Sequence, residues 1–388
     1  MEEPIMYEIK TLNKIAAVGL NRLDANVFTV DTGADPEGIL VRSAAMHDME
    51  LPESLLAIAR AGAGVNNIPI ERCTEKGICV FNTPGANANA VKELTIAALL
   101  LASRDIAGGL KWASGLEGDD VDKQVEKGKS QFVGPEIMGK TVGVVGLGAI
   151  GGLVANVAVS LGMNVLGYDP YLSVNNALSL SRAVNVVDLA TLYAKSDYIC
   201  LHSPLNDSTK NMISANTIAL MKKGVRIINM SRAGLVNDAD IKAALAEGKV
   251  ARYVTDFANT ALVNQPGVVA LPHLGASTPE SEDNCAVMAA DQIADYLFNG
   301  NIRNSVNLPT AQMSRSGVAR FCVVHENTPN KLASLLNVIA EDGVNVENML
   351  NQSRGDVAYT IIDVGSEPDE SVAADLRAVE GVIRVRQL

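Results

Sequence analysis

The stretch TVGVVGLGAIGGLVANVAVSLGMNVLGYDPY, residues 141–171, decides how this chain folds. Its opening apolar run reads as a buried strand, and Gly146, Gly148 and Gly151 follow it in GxGxxG spacing. A helical segment comes next, and a second strand closes on Asp169, about 23 residues after Gly146. Strand, Gly-rich turn, helix, strand and acid in that order predict a dinucleotide site. Glycines permit the tight turn, the approach of backbone to pyrophosphate and helix–strand packing, while the helix start offers unpaired N–H groups. An acid at position 169 bonds ribose hydroxyls and repels a 2′-phosphate, so NAD is expected rather than NADP.

Downstream, SDYICLHSPL, GVRIINMSRAG, ARYVTDF and GVVALPHLG repeat the pattern of short apolar runs between helical stretches. That recurrence predicts a doubly wound parallel sheet. Upstream, GILVRS, LLAIARAG and ICVFN read as buried strands of a second α/β series. Residues from Asn87 to about Trp112 read as one long helix, and 115–134 as a polar surface connection. A helix over 279–300 leads back out of the second series. The last 70 or so residues then spell β-α-β-β-α-β, the ferredoxin-like order.

Composition narrows the function. With 388 residues the chain is too long for one core. A formal net charge of −12 disfavours nucleic acid, which demands a basic surface. No apolar run reaches the ~20 residues that span a bilayer, so no membrane partner is expected. The opening MEEPIMYEIKTLNK lacks a basic n-region followed by an apolar one, so no export signal is expected. Five scattered cysteines without CxxC spacing argue against disulfides and against a zinc site, and point to a reducing, cytoplasmic setting.

Several residues sit where chemistry happens in such sheets, at the carboxyl ends of strands. Arg232 in INMSRAG suits bidentate capture of a carboxylate, or simply caps the sheet. His273 in LPHLGAST is either a proton donor or a core imidazole, and His202 in HSPL is expected to be a hydrogen-bonded structural histidine. Arg42 and Arg60 follow buried strands in the first series, and their residues alone favour solvation or a surface ion pair. The loop after Arg60, with Gly64 and Val65, offers backbone N–H groups to an anion.

Taken together, ARAGAGVNNIPIERCTEKGICVFNTPGANANAVKEL, GLGAIG with YDP, INMSRAG and LPHLGAST resemble the D-isomer-specific 2-hydroxyacid dehydrogenases. The likeness runs nearly end to end, and the C-terminal segment resembles an ACT domain. It implies a flavodoxin-like substrate domain (1–95 with 285–312), an NAD-binding Rossmann domain (96–284) and an ACT module (316–388). It implies His273 as proton donor and acceptor, and Arg232 on the substrate carboxylate and keto oxygen. Gly146, Gly148, Ile150, Gly151, Asp169, Ser203, Met230, Ser231, Asp256 and Gly275 would line NAD. Within the family the motifs are most similar to the branch acting on 3-phosphoglycerate. There Arg42 and Arg60 would hold the phosphate, with Gly64 and Val65 beside them. His325, Asn327 and Asn345 fall on positions that bind an L-serine effector, and a homodimer or homotetramer is implied.

Two departures stand out. The family usually carries a glutamate in the loop after Asp256 that bonds the histidine and favours its charged form. Here the corresponding residue is Thr260 or Ala261, leaving Asp256 and Glu280 as the nearest carboxylates in sequence. The ACT loop has Asn330 where glycine is common. The rival readings are a dehydrogenase of another D-2-hydroxy acid, and an NAD- and amino-acid-sensing protein impaired in catalysis.

Overall fold

The computed structural model describes residues 6–388; residues 1–5, part of the segment read for an export signal, lie outside the described residues. The chain divides into two compact units, Met1–Asn87 with Glu282–Leu388, and Ala88–Ser281.

The first unit contains a parallel sheet of β1 (Tyr7–Leu12), β2 (Phe28–Val30), β3 (Gly38–Val41), β4 (Ala57–Arg60) and β5 (Cys79–Phe81), in the order β2-β1-β3-β4-β5. This is the flavodoxin-like order. Strand β3 is buried at every position, as an apolar run covered on both faces must be.

The second unit is a seven-stranded parallel sheet. Its strands are β6 (Thr141–Val145), β7 (Asn164–Tyr168), β8 (Val184–Val186), β9 (Tyr198–Leu201), β10 (Val225–Asn229), β11 (Val250–Thr255) and β12 (Val268–Ala270). They lie in the order β12-β11-β10-β9-β6-β7-β8, so the direction of winding reverses between β6 and β9. A ligand crevice opens at such a switch point. Helix Ala149–Ser160 runs from the Gly-rich turn despite two glycines and three valines, poor helix formers. It forms because Gly151, Gly152, Val154, Ala155 and Ala158 are buried, so packing outweighs propensity.

The expected long helix is two. Helix Ala88–Ser103 stops, and Ile106–Ala113 restarts from an N-cap, Asp105, whose carboxylate accepts from the Gly108 amide and pairs with Arg252 at 3.0 Å. The polar connection after it holds a further helix, Val121–Gly128, and Phe132 packs on Trp112.

The C-terminal part of the first unit is an antiparallel sheet of β13 (Ala319–Glu326), β14 (Val346–Arg354), β15 (Val357–Val364) and β16 (Val382–Gln387), in the order β14-β15-β13-β16. Alternation sends Phe321, Val323, Ile362 and Val364 into one core with Leu335, Ile339 and Leu376 of its two helices. Cys322, Val324, Tyr359 and Ile361 point the other way, into a core shared with Phe81, Tyr296 and Leu297. Two doubly wound parallel α/β sheets and a ferredoxin-like α+β part are therefore the observed architecture. No helix among the described residues is long and apolar enough to cross a membrane.

Candidate active site

The Gly-rich turn assigns a separate duty to each glycine. Gly146 takes φ 90°, and a Cβ there would meet the His202 carbonyl oxygen at 2.7 Å. At Gly151 a Cβ would fall 1.8 Å from the Gly146 oxygen, so helix and strand can close only without one. Around Gly148, the N-cap of helix Ala149–Ser160, a Cβ would meet nothing within 4 Å. The space is open where a pyrophosphate must come close to backbone. Asp169 accepts from the Leu147 amide at 2.9 Å and from the Tyr171 amide at 2.9 Å, which fixes its carboxylate at the turn. The residues therefore fit a dinucleotide: Gly148 and Ile150 would face its phosphates, and Asp169 its ribose.

The neighbouring loops are tied to one another. Ser231 Oγ donates to the Ser203 carbonyl at 2.7 Å, joining the loops after β10 and β9. Asn229, fully buried at the end of β10, winds the loop that carries Arg232. Its side-chain oxygen accepts from the Ser231 and Arg232 amides at 3.1 and 3.4 Å, and its NH2 donates to the Arg232 carbonyl at 2.9 Å. Sequence reasoning passed over Asn229, although an asparagine two residues before Ser231 is the signal of an Asx turn. Met230 between them is buried. The Arg232 guanidinium is exposed and touches only the Ser231 carbonyl, at 2.7 Å, among the described residues.

His273 is exposed after β12. Its ring packs on Phe257, with centroids 5.0 Å apart and planes at 47°, and Phe257 also forms a β-bridge with Pro272. Asp256, the residue before Phe257, is 1% exposed. One of its oxygens accepts from the Gly275 amide at 3.0 Å, and the other is buried without a partner among the described residues. Burial pushes this carboxyl above its ordinary value; the Gly275 amide, the charge of His273 and that of Arg232 pull the other way. A buried carboxylate oxygen with no donor suits the amide of a nicotinamide.

The loop after Phe257, where the resemblance places a glutamate, is wound by its own polar side chain. Asn259 accepts from the Ala261 and Leu262 amides at 2.9 and 3.1 Å and donates to Asp238 at 2.9 Å, which winds the loop into a turn and buries Leu262. Thr260 is exposed, and neither it nor Glu280 makes a side-chain hydrogen bond or ion pair among the described residues. The charge of His273 is among the influences that lower the Asp256 carboxyl, against the larger effect of burial.

His202 departs from expectation. Both ring nitrogens are buried without partners among the described residues, and burial lowers its pKa to about 4. It is neutral, under the Gly-rich turn, and not hydrogen-bonded.

In the first unit, Arg42 pairs with Glu282 at 2.5 Å. Arg60 Nε donates to the Arg42 carbonyl at 2.9 Å, and its guanidinium folds over the loop that follows, where a Cβ on Gly62 would meet it at 2.6 Å. The amides of Gly64 and Val65 donate to no acceptor among the described residues.

In the C-terminal sheet, His325 is buried, bonded to the Glu326 carbonyl and to Thr360 Oγ1, both at 2.8 Å. Asn327 donates to the Gly355 carbonyl at 3.0 Å, at the end of β15 near Val357. Asn345 bonds Glu347 near the other end of β15, where the Gly365 amide donates to its carbonyl. One chain thus brings His325 and Asn327 together and leaves Asn345 apart. Asn330 takes φ 65°, the left-handed conformation that glycine would supply, and caps helix Lys331–Glu341.

Residues 97–275 match the model of the D-isomer specific 2-hydroxyacid dehydrogenase NAD binding domain. The chain is 34% identical over 349 residues to the D-3-phosphoglycerate dehydrogenase of Escherichia coli, covering 87% of this chain and 82% of that one. It is 36% identical to the enzyme of that name from Methanocaldococcus jannaschii, over 76% of this chain and 54% of the relative. Among solved structures, NAD+-bound 3-phosphoglycerate dehydrogenase of Entamoeba histolytica superposes with a TM-score of 0.60 at 27% identity, over 78% of this chain and 99% of that one. The Gly-rich turn, the histidine and arginine at the strand ends and these relatives agree: the chain belongs to the D-isomer-specific 2-hydroxyacid dehydrogenases and is an NAD-dependent oxidoreductase.

Proposed function

We propose that the protein oxidises D-3-phosphoglycerate to 3-phosphohydroxypyruvate, the first step of L-serine biosynthesis. The observation that carries the reading is the grouping of His273, Arg232 and buried Asp256 at the carboxyl edge of one NAD-type sheet. Relatives named for this activity, at 34% and 36% identity, support the choice of substrate.

In this reading the Arg232 guanidinium grips the substrate carboxylate and stabilises negative charge on the C2 oxygen. A ring nitrogen of His273 takes the hydroxyl proton and returns it in the reverse direction. Phe257 fixes the plane of that ring. Bound NAD supplies the acceptor for the hydrogen that leaves C2. Arg60, with the amides of Gly64 and Val65, holds the phosphate. Arg42, held by Glu282, stands behind it as a weaker ligand. The C-terminal module would act as an ACT domain that takes L-serine on His325 and Asn327, in a cytoplasmic homodimer or homotetramer.

Turnover of D-3-phosphoglycerate with NAD, and of phosphohydroxypyruvate with NADH, tests the assignment. His273→Ala is expected to lose on the order of a thousandfold in kcat. A wild type that binds NADH yet turns over neither substrate would overturn the reading, and serine titrated into the same assay tests the effector.

A further inference from the structure

Four arginines of the C-terminal module end on main-chain carbonyls of the substrate-side fold in the same unit. Arg386, 7% exposed, donates to the carbonyls of Tyr296 and Leu297 at 3.0 and 2.5 Å, with its guanidinium 4.7 Å from the Tyr296 ring centroid. Arg320, fully buried, donates to the carbonyls of Asn299, Met313 and Ser314 at 2.7, 3.0 and 3.0 Å, and Asp363 neutralises it at 2.5 and 2.8 Å. The Tyr359 hydroxyl donates to the Gly300 carbonyl at 2.7 Å. The carbonyls of Tyr296, Leu297, Asn299 and Gly300 lie at and just beyond the end of helix Pro279–Asn299, where the dipole is negative, while those of Met313 and Ser314 belong to the segment leading into the module. The module is the C-terminal cap of that helix.

The other two arginines reach backbone next to the strands. Arg384 donates to the Leu55 carbonyl at 2.6 Å, two residues before β4, and β4 ends on Arg60. Arg354 donates to the Ser305 carbonyl at 2.8 Å, and Ser305 forms a β-bridge with Phe81, the last residue of β5. A module swinging on a flexible linker would leave the second face of its sheet to solvent, and its arginines would be solvated. Here that face carries Cys322, Val324, Tyr359 and Ile361 into the core of Phe81, Tyr296 and Leu297. The fit is close enough that a Cβ on Gly300 would stand 2.3 Å from Cys322 Sγ.

We infer that the C-terminal module is a fixed clamp on the substrate-side strands, so that loosening it shifts β4 and Arg60 and weakens the grip on substrate while dinucleotide binding is unchanged. The kinetic half of this inference rests on Arg60 being the phosphate ligand proposed above; the mechanical half does not. Dinucleotide binding is insulated because its turn, acid and loops all belong to residues 88–281.

Full-length Arg384→Met, Arg384→Lys and Arg354→Ala variants test it through three readouts: amide hydrogen exchange, KM for D-3-phosphoglycerate and NADH affinity by fluorescence. Arg384→Met is expected to speed exchange across Ala57–Arg60 about tenfold, the effect of one lost charged hydrogen bond. It should raise KM on the order of tenfold with NADH affinity unchanged, and Arg384→Lys should recover part of both. The exposed Arg354→Ala should speed exchange at Phe81 without unfolding the module. Unchanged exchange in β4, or NADH affinity falling in step with the rise in KM, overturns the clamp. If β4 loosens as expected while the wild type has no turnover with phosphoglycerate, the clamp stands and the substrate assignment fails.

Discussion

Asp256 trades stability for chemistry. Its folded carboxyl is raised above the ordinary 3.8, with burial as the largest cause. The native state therefore binds more protons than the unfolded chain at pH values just above 3.8. Stability from this group is full below that pH and is lost as pH rises through the folded value. Asp256→Asn removes the titration, so the variant should melt higher than the wild type at neutral pH and show a flatter pH–stability curve. The same change removes the negative charge facing His273, and Arg232 and Tyr253 are the other groups that share its field. With that charge gone, kcat should fall although the fold is more stable. A kcat equal to the wild type's would show that Asp256 has no part in the reaction. Sequence reading could name Asp256 and Glu280 as the candidates near His273 but not choose between them. What sets them apart are contacts made across the fold: the Gly275 amide anchors the Asp256 carboxylate, whereas Glu280 makes no side-chain hydrogen bond or ion pair among the described residues.

At the scale of elements, the Gly-rich turn separates folding from binding within four residues. Gly151→Ala drives a methyl to 1.8 Å from the Gly146 oxygen, so the helix must lift from its strand. Gly148→Ala places a methyl in open space on the cofactor side. Gly151→Ala should thus lower both thermal stability and NADH affinity. Gly148→Ala should keep the wild-type stability to within about 0.5 kcal/mol and lose NADH affinity alone. Equal destabilisation by both, measured by calorimetry and NADH titration, would contradict this division. The turn was legible in sequence because spacing, flanking strand and Asp169 are local features. So were β3, β4, β9 and β10, whose runs are buried almost throughout. Less legible were β1, β2 and β8, short or half-exposed strands whose pairing depends on distant neighbours. The break at Asp105 escaped because its reason is the ion pair with Arg252, 147 residues away. Asn229 escaped for a similar reason: a buried amide reads from sequence as an ordinary polar residue at a strand end.

The whole molecule has separate cores in its two units, and the buried ion pair of Arg320 and Asp363 lies in only one of them. Both side chains are fully buried, so each is tolerated only because the other is present. Desolvation opposes the charge on each, and the paired hydrogen bonds reverse it, holding Asp363 below and Arg320 above their ordinary values. Asp363→Asn leaves a buried guanidinium without its counter-charge and weakens the bonds to the Ser316 amide and hydroxyl. The expected cost is about 3–5 kcal/mol. Because helix Pro279–Asn299, β5 and the C-terminal sheet share one core, that cost should appear as earlier melting of the whole first unit. Residues 88–281 should keep their own transition, stabilised selectively by added NADH. Replacing both charges, as Arg320→Met with Asp363→Leu, should destabilise less than Asp363→Asn alone, since no unpaired charge remains buried. Calorimetry with and without NADH distinguishes the outcomes: a C-terminal module melting alone in Asp363→Asn, with the remainder of the first unit unmoved, would mean the shared core is not cooperative.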